Sequence, residues 1–193
     1  MKIELIEIRK EASRIGLCLD FDIVSKMPLI GVHHIHDWDH GYESGTGYSG
    51  KRREFYADMS EMVSFLYKYI AKNLIGEFIV APFHRINQFS VFDDENDIYR
   101  EIKHFLKNFG IRGKSQAGVK LSAEKGDVIE MILEGGFRGV SELCIFFPET
   151  KVLIAPNHHF DLPFFTHDLN KEKETLLLLL KDFPRLKYYE KKL

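Results

Sequence analysis

From Lys51 to Leu74 the apolar residues Phe55, Met59, Met62, Val63, Leu66, Ile70 and Leu74 recur every three or four positions, which lines one face of a helix. This spacing predicts the strongest helix of the chain. A second one-sided face, Ile98, Ile102, Phe105, Leu106 and Phe109, follows the acidic residues Asp93, Asp94 and Asp97, which suit a helix N-terminus, and Gly110 supplies the stop. A third helix is expected from about Asn170 to Phe183, ended by Pro184, whose ring nitrogen cannot continue the hydrogen-bond ladder. Shorter apolar runs predict strands over 2–8, 15–23, 29–36, 77–83, 88–92, 142–147 and 151–155. The last two are joined as a hairpin through Pro148, Glu149 and Thr150. Residues 111–123 read as a loop or a short connecting strand, and 127–134 fits helix or strand, with Gly135 and Gly136 as its end in either case.

Strands that follow one another, with helices set between strand groups, point to an α+β fold rather than a regular alternation. The expectation is one domain over 1–193, with a mostly antiparallel central sheet and about three helices packed on it. A chain of 193 residues, 45% hydrophobic, supports one real core and is short for two. Sixteen Phe and eight Tyr mean that rings supply much of the buried area. The formal charge of −2 argues against a broad basic surface for nucleic acid, because phosphate binding needs clustered Lys and Arg. Cys18 and Cys144 each sit in an apolar run, as buried reduced thiols do, which makes a cytoplasmic location the default. The opening residues alternate charge with apolar character and lack the apolar core of a signal peptide. The longest apolar run, Leu176 to Leu180, is far below the roughly twenty residues of a membrane span. A soluble protein that does not enter membranes is expected.

The densest chemistry lies between Gly31 and Gly41, where His33, His34, His36 and His40 stand among Asp37, Trp38 and Asp39. Imidazole titrates nearest neutrality and is the commonest metal ligand, so its clustering with carboxylates suits a site better than a core. His34 and His36, two apart, fall on the same face of an extended segment, where both rings can reach one ion. Further ligands are available from His40, Asp39, His158, His159 and Asp161. If the strands are arranged as expected, the histidine cluster, His84 and the His158–His159 pair all lie just beyond strand ends and can meet at one edge. The string from His34 to His40 also resembles the His-x-His-x-Asp-His signature of metallo-β-lactamase-fold hydrolases, with one extra residue before the final Asp-His. That insertion turns the last two ligands away from the geometry the family needs, so the family's function is not carried over.

Other features are weaker. Gly45 to Lys51 matches the glycines and lysine of a phosphate-binding loop, but Arg52 stands where a magnesium-binding hydroxyl belongs. Lys51, Arg52 and Arg53 oppose the helix dipole unless an anion or an acidic partner offsets them. Asp93, Asp94, Glu95, Asp97 and Glu101 form an acidic patch that caps a helix and is also a surface for a basic partner. Glu149-x-Lys151 with Asp127 echoes a nuclease triplet, although a hairpin turn explains the first two. No nucleophile elbow accompanies the histidines.

Two functions follow as expectations. The first is a non-enzymatic cytosolic binding protein, an inhibitor or immunity-type partner of another protein, which uses Asp93, Asp94, Asp97, Lys51, Arg52 and Arg53. The second is a metal-dependent hydrolase or metal-binding protein that holds zinc or another divalent transition metal through His34, His36, His40, His158, His159 and Asp161. There the ion would lower the pKa of a bound water.

Overall fold

The computed structural model of the protein describes residues 2–4, 10, 29–36, 38, 52–86, 97–111, 117–166 and 168–191. Eight strands make one sheet: β1 (Lys2–Glu4), β2 (Leu29–His34), β3 (Glu77–Ile86), β4 (Ala117–Ser122), β5 (Ser141–Phe147), β6 (Val152–Ile154), β7 (Asp161–Thr166) and β8 (Leu186–Lys191). Their spatial order is β1-β4-β3-β5-β6-β7-β2-β8, and every neighbouring pair is antiparallel. Helices α1 (Arg52–Lys72), α2 (Asp97–Asn108), α3 (Gly126–Phe137) and α4 (Leu169–Leu179) complete the α+β fold, and a 3-10 turn over Leu180–Asp182 extends the last. Four named helices stand among the described residues, where about three were expected for the chain. Among the described residues no helix is long and apolar enough to cross a membrane.

The elements follow from their sequences. The predicted face of α1 is buried through Phe55, Met62, Val63, Leu66 and Ile70, but Leu74 lies past the helix end with a positive φ of 51° and is exposed. In α2 the Asp97 Oδ1 accepts the Ile98 N–H at 2.7 Å. Its stop is Gly110 at φ 67°, where the Gly110 and Ile111 N–H groups return to the carbonyls of Lys107 and Leu106. Helix α4 is capped by Asp168, whose Oδ1 accepts the Lys171 N–H at 3.1 Å.

The ambiguous stretch after Asp127 is α3, and Gly135 and Gly136 lie inside it rather than at its end. They serve close packing: a Cβ on Gly136 would sit 2.6 Å from the Pro156 carbonyl oxygen, and one on Gly135 would overlap Ile102 Cδ1. The real stop is Gly139, at φ 66°. The segment after Asp161, where no strand was expected, is the interior strand β7, with Leu162, Phe164 and Phe165 buried. Pro163 is tolerated there because it faces Ala155, one residue past the end of β6, where its missing N–H removes no ladder bond. The expected strands at 15–23 and 88–92, and residues 5–8 of the first, lie outside the described residues.

The hairpin of β5 and β6 is as predicted. Cys144 on β5 is buried, and burial pushes its thiol up to about 12, so it is an unreactive core group. Cys18 lies outside the described residues. For function, the decisive feature is that β2 enters between β7 and β8, with His33 opposite Asp161 and His34 opposite Leu186.

Candidate metal centre

Along β2, alternation turns Ile30, Val32 and His34 to the same side, and all three are buried. On α1 the buried stripe Phe55, Asp58 and Met62 includes one carboxylate. Strand and helix therefore each present a polar side chain at a position that their own periodicity assigns to the core, and the two face each other at the end of β2.

Asp58 is 1% exposed and well supplied with donors. Its Oδ2 accepts His36 Nδ1–H at 2.6 Å and Trp38 Nε1–H at 3.1 Å, and its Oδ1 accepts Arg185 at 2.9 Å. A second nitrogen of Arg185 pairs with Glu61 Oε2, one helical turn on from Asp58. Trp38 closes the inner side, packing edge-on to Phe55 and against Phe160, which also touches the His34 ring. The rings of His34 and His36 are 4.9 Å apart. His36 is the open member, with 51% of its side chain exposed.

His34 is the anomaly. Its Nδ1 accepts the His36 backbone N–H at 3.1 Å, while its Nε2, fully buried, has no hydrogen-bond partner among the described residues. The nearest acceptors of Nε2 are Asp58 Oδ1 at 3.6 Å and Glu61 Oε2 at 3.7 Å, both beyond hydrogen-bond range. Burial lowers the His34 pKa, helped by Arg185 and His36 and opposed by Asp58 and Glu61, so the ring is held neutral.

His34, His36 and Asp58 offer ligand atoms that all lie within 4.8 Å of one another, and they are the group among the described residues that can share an ion. Two imidazoles and a carboxylate suit zinc and its divalent neighbours better than magnesium or calcium. With Nδ1 accepting, the neutral His34 ring carries its hydrogen on Nε2. An ion at Nε2 would displace it, shift the ring to the other tautomer and turn the His36 N–H away. The exposed residues 35 and 36 are where that change can be absorbed. Comparison with family models, curated proteins and solved structures finds no match. The centre is read from its own chemistry.

The predicted site residues divide into three sets. His34 and His36 come together as expected. His158 and His159 stack on each other at 4.2 Å in the exposed turn between β6 and β7, and Asp161 opens β7 opposite His33. They are not part of the three-residue ligand group. His40, Lys51, Asp93, Asp94 and the glycine-rich loop lie outside the described residues, as does the side chain of His84 on β3.

Of the remaining charges, Arg52 and Arg53 are exposed at the start of α1, Arg52 with its guanidinium 5.8 Å from the Tyr56 ring centre. Asp97 is tied to Arg138 at 3.0 Å. Burial raises the Asp97 pKa, but the Ile98 N–H and Arg138 outweigh it and leave the carboxyl below its ordinary range. Glu149 and Lys151 belong to the β5–β6 turn. Sequence reasoning did not find Asp58, Glu61 or Arg185. The available signal was an acid between Phe55 and Met62 on an otherwise apolar helix face.

Proposed function

We propose that the protein binds a divalent transition metal through His34, His36 and Asp58 and uses it to activate water for hydrolysis. The observation that carries this reading is His34 Nε2. A buried polar atom with no partner costs about 1–3 kcal/mol, a cost that a bound ion or water would offset. Here the orphaned nitrogen is 3.6 Å from a carboxylate oxygen, a separation suited to two donors each about 2.1 Å from one ion. Half-exposed His36 leaves one side open to solvent, and three protein ligands with an open position are the arrangement of catalytic rather than structural zinc. The ion supplies a bound water with a pKa near 7.

The protein-partner reading rests on surface charges of which Arg52, Arg53 and Asp97 are described, and Asp97 is occupied by Arg138. A metal-free alternative has one observation in its favour: the 2.6 Å contact from Asp58 fixes the His36 ring with Nε2 outward, as a general base needs.

Titration of tag-free protein with cobalt(II), followed by visible absorption and calorimetry, separates these readings. One ion per chain with ligand-field bands, lost in His36→Ala, is expected. His36 is exposed enough for its truncation to leave the fold intact. Absence of saturable binding, or binding that His36→Ala retains, contradicts the metal reading.

A further inference from the structure

We propose that Arg185 is the resident counter-cation of this centre, and that its guanidinium and a divalent ion are mutually exclusive occupants of the Asp58–Glu61 carboxylate pair. The inference rests on the metal reading above and adds to it a mode of regulation.

The oxygens that Arg185 takes are Asp58 Oδ1, at 2.9 Å, and Glu61 Oε2. The same two oxygens lie nearest His34 Nε2, at 3.6 and 3.7 Å. A dication held by that nitrogen and either oxygen would stand within a few ångströms of a guanidinium on the same atoms. In a site whose Asp58 side chain is 2% exposed, like charges at that range repel strongly. One of the two cations has to leave.

Arg185 is built to be the one that moves. Its side chain is 41% exposed and can turn to water, whereas Asp58 is fixed on a buried helix face. Its backbone stays in place, because the Arg185 carbonyl accepts the Ile35 N–H at 2.9 Å and the next residue, Leu186, pairs with His34. The exchange is therefore a swing of one side chain. While the ion is absent, Arg185 bridges the two carboxylates and offsets one of their two charges. With an ion bound, Glu61 Oε2 would be released from the guanidinium, and the position open to solvent beside His36 would stay open.

Competition titrations of zinc against a chromophoric chelator, run on wild type, Arg185→Gln and Arg185→Lys, test the exchange. Removing a charge-assisted pair is expected to tighten zinc binding by about tenfold or more in Arg185→Gln. Arg185→Lys keeps the charge and should stay closer to wild type. Zinc should also raise the melting temperature of Arg185→Gln by more than it raises that of wild type. Wild-type binding with Arg185→Gln no tighter, or weaker, overturns the exchange and leaves the metal reading standing. If no form of the protein binds zinc, the metal reading itself falls, and the exchange with it.

Discussion

Two buried charge clusters flank α1, and they begin from nearly the same inventory. Around Arg138, one guanidinium meets two carboxylates: its NH1 lies 2.9 Å from Glu134 and 3.0 Å from Asp97, while Tyr56 donates to the same Glu134 oxygen at 2.6 Å. Burial and that hydrogen bond push the Tyr56 hydroxyl up to about 12. Around Asp58, the guanidinium of Arg185 again meets two carboxylates, Asp58 and Glu61. The first cluster joins α1, α2 and α3. The second adds two imidazoles, one with a buried nitrogen lacking a partner and one half in solvent. A buried ion pair by itself is a staple between elements, and often contributes little net stability. Surplus ligand capacity with an open side is what distinguishes a site.

The comparison breaks most sharply at its two central charges. Asp58→Ala should lower metal affinity by at least about a hundredfold and cost about 3–5 kcal/mol of stability by leaving Arg185 and His36 without their carboxylate. Arg138→Met should cost a comparable amount, about 3–5 kcal/mol, because Glu134 and Asp97 lose their cation, yet leave metal affinity unchanged. Urea denaturation and metal titration on both variants check the contrast, which fails if Arg138→Met also loses the ion. Gly136→Ala tests the packing behind the Arg138 cluster: the new Cβ, 2.6 Å from the Pro156 oxygen, should cost about 1–3 kcal/mol, read as a lower denaturation midpoint.

The smallest effect concerns Glu172 on α4, the second buried acid beside Asp58 and one with no ion pair among the described residues. Burial raises its pKa, opposed by Tyr69 and Lys171. A carboxyl raised in the folded state is protonated there after the unfolded chain has released its proton, so stability falls as pH rises from the ordinary carboxyl range to the folded pKa. Glu172→Gln should therefore stabilise the protein at neutral pH and give no gain at low pH, as seen in melting temperatures across pH. A destabilised variant at neutral pH would mean that the ionised form is the one the fold holds.

What could be read from the sequence depended on whether a segment's reason for being was local. α1, α2, β2 and the β5–β6 hairpin carry their own periodicity and stops. β7 was missed because Pro163 is tolerated only through the early end of β6, and β8 because an edge strand such as Leu186–Lys191 keeps charges that hide its alternation. Gly135 and Gly136 read as a helix end because their role, room for Ile102 and Pro156, belongs to other elements. The site divides in the same way. The spacing of His34 and His36 was visible, and their rings do meet. Asp58, Glu61 and Arg185 gain meaning only when β8 pairs with β2 and brings residue 185 to α1, 127 positions from its partner in the chain.

Elemental analysis of protein purified without a histidine tag and without added metal, alongside the His34→Ala, His36→Ala double variant, tests the central claim most directly. The account predicts near-stoichiometric zinc or another divalent transition metal in the wild type and its loss in the variant. A metal-free wild type, whose stability the double substitution leaves unchanged, would contradict it.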